Sequence, residues 1–230
     1  MVTNDLSTFW ESIPSNLRNA IEQAVPAHIL EERLSIFTNP MTLTYIYAQL
    51  EDLLQDMVAA ETRPAQPSDN GTSTHQVDPR ISALFPLAML QTEMKHYAAA
   101  EKSWRGLLYI SPPLGLDLAA MSNLIDVLNL QHKYAKAEIL SKRLMPLLQA
   151  ELGDNSPQYL GVMRKLMESL TGQGKKDEAR QVYQRNMELV GTISDSNIKK
   201  DEVDALQEMI TKINASGDLV SSFLRATGWT

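Results

Sequence analysis

One helical pattern occurs three times in this chain: His96-Tyr97-Ala98-Ala99-Ala100-Glu101, Lys133-Tyr134-Ala135-Lys136-Ala137-Glu138 and Lys175-Lys176-Asp177-Glu178-Ala179-Arg180. Aligning Ala100, Ala137 and Ala179 gives spacings of 37 and then 42 residues. A self-similar period of this size marks stacked helical hairpins, because one such unit cannot bury its apolar face without a neighbour. The pattern therefore predicts an all-α array of helical hairpins over residues 81–190.

The apolar residues agree with that period. The first helix of each unit carries Leu84, Leu87 and Ala88, then Met121, Leu124, Ile125 and Leu128, then Met163, Leu166, Met167 and Leu170. The second helices carry Tyr97, Ala100, Trp104 and Leu107, then Tyr134, Ala137, Leu140 and Leu144, then Ala179, Val182 and Tyr183. Small alanines at the crossing let two helices approach, and a ring nearby fills the adjacent gap. Gly172-Gln173-Gly174 supplies a turn between the helices of the third unit.

These residues resemble the tetratricopeptide repeat, and units two and three resemble its 42-residue, kinesin-light-chain-like form. The segment from Leu152-Gly153 through Ser156-Pro157 to Tyr159-Leu160 is similar to that form's inter-repeat signature. The resemblance implies a right-handed superhelical array whose first helices line a concave groove. Ile125 and Met167 depart from it by standing where the family prefers a small residue, so looser or offset packing is expected there. Pro146 falls inside a second helix and predicts a kink or break near Leu144–Met145.

The same resemblance puts Ser82, Phe85, Met89 and Glu93 on the groove, with Ser122, Asn123, Asp126 and Asn129, and with Arg164, Lys165 and Glu168. Asn123 is expected to donate to a bound peptide backbone, and Arg164 and Lys165 to face an acidic ligand group. A complete clamp for a C-terminal carboxylate is excluded, because Phe85 and Met89 occupy positions that need polar side chains.

Helical flanks are expected on both sides. Ser15 or Asn16 reads as the N-cap of a helix carrying Leu17, Ile21 and Val25, which Pro26 interrupts. A short helix is expected over 27–37, then Thr38-Asn39-Pro40 as a further helix start. Leu43, Ile46, Leu50, Leu53 and Met57 form a stripe that packs on the first repeat or on a second copy of the chain. Residues 61–80, rich in proline and small polar residues, read as a linker. On the far side, Asp195-Ser196-Asn197 caps a helix through about Ala215, with Val203, Leu206, Met209, Ile210 and Ile213 on one face and Gly217 at its end. That helix is expected to cap the array. The expected organisation is thus 1–60, 61–80, 81–190 and 191–230. In the apolar tail, Phe223 and Trp229 pack on the array or occupy a groove.

Charge and composition narrow the function classes. Residues 1–80 hold four arginines, no lysine and eleven acids, whereas residues 81–190 hold thirteen basic and eleven acidic residues. No segment concentrates the positive field that nucleic acid requires. With no cysteine among the 230 residues, thiolate metal sites, disulfides and cysteine nucleophiles are excluded. No export signal or membrane-length apolar run is present, so a cytoplasmic location is expected. Among catalytic motifs, His-Glu-x-x-His, a phosphate-binding glycine loop and a nucleophile elbow are all missing. The expected function is an adaptor that binds a peptide or protein segment, without enzymatic activity or cofactor. Self-assembly through residues 40–60 or the C-terminal helix, small-molecule sensing and an enzyme without a motif are the alternatives.

Overall fold

The computed structural model describes residues 10–35, 43–61, 78, 80–110, 112–113 and 115–227. Among them the regular structure is entirely helical: α1 (Ser15–Ala24), α2 (Ala27–Ser35), α3 (Leu43–Glu61), α4 (Arg80–Glu93), α5 (Tyr97–Tyr109), α6 (Leu116–Leu130), α7 (Tyr134–Leu152), α8 (Pro157–Gly172), α9 (Lys176–Gly191) and α10 (Ser196–Thr227). The chain forms two compact units, residues 1–120 and 121–230. The expected starts at Thr38–Pro40, most of the 61–80 linker and Trp229 lie outside the described residues, as does the side chain of Phe223.

The repeat shows most directly in the turns. Lys95, His132 and Gly174, each five residues before an aligned alanine, have φ of 61°, 58° and 75°. Around them the backbone closes the same pair of bonds. The Lys95, His132 and Gly174 N–H groups donate to Thr92, Asn129 and Thr171 O, and those of His96, Lys133 and Lys175 to Gln91, Leu128 and Leu170 O, all at 2.8–3.0 Å. This is a Schellman closure repeated three times, satisfying carbonyls the helix end would leave unpaired. A left-handed residue is favoured as glycine, yet two of the three units place lysine and histidine there.

In the first unit, Leu17 and Ile21 of α1 and Val25 at its C-terminal end bury with Ile46, Leu50, Leu53 and Leu54 of α3 and Leu87 and Leu90 of α4. The α3 stripe is thus consumed inside its own unit. The start of α1 differs from expectation: Pro14 precedes the helix and no side chain caps it. Pro14 fixes its own backbone and needs no capping hydroxyl to begin the turn. α4 carries Pro86 internally without ending.

Two glutamates, Glu51 before the predicted repeats and Glu138 within them, extend the pattern. Glu51 on α3 accepts from Gln91 Nε2 at 2.9 Å, and its other oxygen lies 3.4 Å from His96 Nδ1. Glu138 on α7 accepts from Gln173 Nε2 and Lys175 Nζ, both at 2.8 Å. His96 and Lys175 are the equivalent last residues of two Schellman turns. α3 therefore holds the α4–α5 turn as α7 holds the α8–α9 turn, and α1 with α3 act as one more hairpin, with α2 between them.

In the second unit, α8 starts as expected. Gly153 has φ 84°, Ser156 Oγ accepts from the Tyr159 N–H at 3.3 Å, and Pro157 opens the helix. The expected break at Pro146 does not occur, since α7 runs unbroken from Tyr134 to Leu152. Pro146 sits on the exposed side, where solvent can satisfy the carbonyl that loses its amide partner. Ile125 and Met167 are fully buried. Asp195 caps α10 as expected, through Asn197 N–H at 2.8 Å and Ile198 N–H at 3.1 Å. α10 then packs Leu206 and Ile213 against α8 and α9, covering an apolar face of about 1.5–3 kcal/mol per buried side chain. The expected stop at Gly217 is a correction: α10 continues to Thr227. One glycine costs a helix interior only about 1 kcal/mol, too little to end a helix without a following breaker.

Candidate binding clefts

Among the described residues a cleft lies inside each unit, one between α1 and α4 and one between α8 and α10. In the first unit a cleft of about 500 Å³ runs between α1 and α4. Asn16, Asn19 and Gln23 form one wall, at i, i+3 and i+7 on α1 and therefore on one face. They lie opposite the buried Leu17 and Ile21 and are exposed. Ile81, Phe85 and Pro86 of α4 supply the apolar wall. Phe85 is held edge-on to the buried Trp104, ring centroids 5.2 Å apart at 84°. None of the residues lining this cleft is charged.

Of the groove residues expected in this unit, Phe85 lines the cleft and Met89 packs against the core instead. The amide row was missed because α1 precedes the recognised repeats. Its signal was present, as three amides spaced along the polar face of an amphipathic helix.

The second unit spends its expected groove residues on itself. Lys165 Nζ on α8 donates to Asp126 Oδ2 at 2.6 Å, Ser122 Oγ at 2.7 Å and Ser122 O at 3.0 Å, all on α6. Burial pushes the Asp126 carboxyl up and the Lys165 ammonium pulls it back. Asn129 is 2% exposed; its amide donates to Lys165 O at 3.1 Å and its oxygen accepts from Ser169 Oγ at 2.8 Å. Arg164 pairs with Glu202 on α10, and burial holds its guanidinium below the usual arginine range. Glu168 remains at the surface, with partial burial and then Asp126 pushing its carboxyl up. Asn123 is half-buried on α6.

Arg164, Lys165 and Glu168 line a smaller cleft of about 230 Å³ with Gly161 of α8 and with Ala205, Glu208, Met209 and Lys212 of α10. Its charges alternate in sign, and Lys212 pairs with Glu208 at 2.7 Å. Among the described residues no cluster of three or more histidines and carboxylates could hold a metal, and no helix is long and apolar enough to cross a membrane.

Residues 116–190 match the family model described as tetratricopeptide repeat. No curated protein matches the chain. Among solved structures, the nearly identical TPR-like repeats assigned to a kinesin light chain of Podosopora anserina are similar to it in two versions. A point variant superimposes with TM-score 0.61 at 14% identity, covering 94% of this chain and 98% of that one. The other gives TM-score 0.55 at 14% identity, covering 91% and 98%. The chain therefore carries tetratricopeptide repeats over residues 116–190, in an all-α array whose fold is that of kinesin-light-chain-like repeats.

Proposed function

We propose that this chain is a non-enzymatic interaction module that binds an extended, uncharged peptide segment in the α1–α4 cleft. Tetratricopeptide repeats generally mediate protein–protein interaction. The observation that carries the reading is the pairing of an amide row with an apolar wall in one uncharged cleft. Each amide both donates and accepts, which matches the alternating N–H and C=O groups of an extended backbone. From Asn16 to Gln23 the row rises about 10 Å, the length of about three extended residues. Phe85, Ile81 and Pro86 would take an apolar side chain of that segment, with orientation fixed by the amides. Arg164 and Lys165 support a ligand role less well, because each already has a carboxylate partner.

Peptides selected from a displayed library of uncharged sequences test the reading. Their affinity, read by fluorescence anisotropy, should fall about tenfold or more on Asn19→Leu and Gln23→Leu, both at exposed positions. Equal affinity for wild type and both variants would remove the cleft as the site.

A further inference from the structure

Seven cations of the second unit have a carboxylate partner: Lys142 and Lys175 with Glu138, Arg164 with Glu202, Lys165 with Asp126, Arg180 with Asp177, Arg185 with Glu188 and Lys212 with Glu208. On the outer face of α7, cations share a stripe with exposed apolar side chains. Lys136, Ile139, Arg143, Pro146, Leu147 and Ala150 are all exposed, with Ile139 at 70% and Leu147 at 43%. At helical spacing these six fall on one stripe about 100° wide. Neither Lys136 nor Arg143 has a carboxylate partner among the described residues, and the stripe contains no acid. From Lys136 to Ala150 it rises about 21 Å, close to four helical turns.

An apolar side chain exposed by itself is ordinary on a protein surface. Two on one stripe, interleaved with unpaired cations and free of acids, form a complementary template. We propose that the outer face of α7 is a docking surface for an acidic amphipathic helix of a partner protein. Leucine-type side chains of that helix cover Ile139, Pro146 and Leu147, and its flanking carboxylates pair with Lys136 and Arg143. Such helix-on-surface recognition reads anchors at i, i+3, i+4 and i+7, the spacing that Arg143, Pro146, Leu147 and Ala150 offer, with Ile139 one turn before them. The surface is separate from the α1–α4 cleft, so the chain has two independent binding sites and can join two different segments.

The test uses the full chain and a fluorescein-labelled, 18-residue amphipathic peptide with leucines on one face and glutamates beside them. Its controls are the same peptide with lysine for every glutamate and a scrambled peptide of identical composition. Anisotropy should show binding of the acidic peptide alone, weakening as salt rises. Affinity should fall about tenfold or more for Arg143→Glu and for the Ile139→Ser/Leu147→Ser pair, with Lys102→Glu on exposed α5 unchanged. Helix content by circular dichroism should stay at the wild-type level in every variant, because all the changed side chains are exposed. Equal binding by the scrambled or lysine peptide, or unchanged binding by Arg143→Glu, would overturn the proposal. So would Arg143-dependent self-association in sedimentation, which assigns the face to a second copy, or Arg143-dependent binding to phosphatidylserine vesicles without peptide binding.

Discussion

Glu138 is the residue whose loss gives the most informative measurement. Its side chain is 10% exposed and accepts from Lys142 Nζ at 2.5 Å, Lys175 Nζ at 2.8 Å and Gln173 Nε2 at 2.8 Å. The Lys142 and Lys175 hydrogen bonds lower its pKa from the ordinary 4.5 to about 2. A displacement of about 2.5 units would correspond to about 3 kcal/mol at 1.36 kcal/mol per unit. Lys142 and Lys175 are 53% and 39% exposed, and solvent screens both pairs. The contribution is therefore about 1–2 kcal/mol. Because the folded-state pKa is lowered, this stabilisation is present above about pH 4.5 and is lost as pH falls through about 2. Urea unfolding followed by circular dichroism, on wild type and Glu138→Gln across that range, isolates it. The variant should be about 1–2 kcal/mol less stable near pH 7, and the gap should close toward pH 2. A gap that stays constant with pH would show that the charge of Glu138 does not hold the α8–α9 turn.

Other substitutions check the turns and helix ends. Lys95→Gly should stabilise the chain by about 0.5 kcal/mol in urea unfolding, and Gly174→Ala should destabilise it by about 1 kcal/mol, since both positions require positive φ. Gly172→Ala places a methyl 2.5 Å from the Tyr134 ring, so it should cost about 1–3 kcal/mol in thermal unfolding, and Tyr134→Ala should recover part of that loss. Ser156→Ala removes the cap of α8 and should cost about 1 kcal/mol in the same assay. Sedimentation should find no association through α3, whose apolar stripe is buried inside its own unit, so Leu53→Glu should lower stability without changing the mass of a folded species. A wild-type dimer that Leu53→Glu converts to a folded monomer would refute that reasoning.

The hairpins were readable because alanine at the crossing and a ring beside it recur at a fixed period. That register also locates Lys95, His132 and Gly174 at one backbone conformation, although their side chains share nothing. The hairpin of α1 and α3 was hidden because Leu50 stands where the others place alanine and because α2 lengthens its connection. Residue types alone also could not say which groove charges were already taken. Lys165 meets Asp126 across 39 residues, Arg164 meets Glu202 across 38, Ser169 meets Asn129 across 40 and Gln91 meets Glu51 across 40. Each separation is about one repeat, so complementary polar residues one period apart are the signal that would have flagged them. Pro146 misled for a different reason: the cost of a proline depends on whether the freed carbonyl faces water or a neighbouring helix.

Glu51 and Glu138 each precede, by 35 to 45 residues, the turn that they hold. During synthesis the carboxylate is therefore already part of a formed helix when its turn emerges. Domains generally fold N-terminal first during synthesis. The α4–α5 and α8–α9 hairpins can therefore each close onto a carboxylate that was made before them. Loss of Glu51 removes a contact to the α4–α5 turn, whereas loss of Glu138 removes contacts only to the α8–α9 turn and, on its own helix, to Lys142.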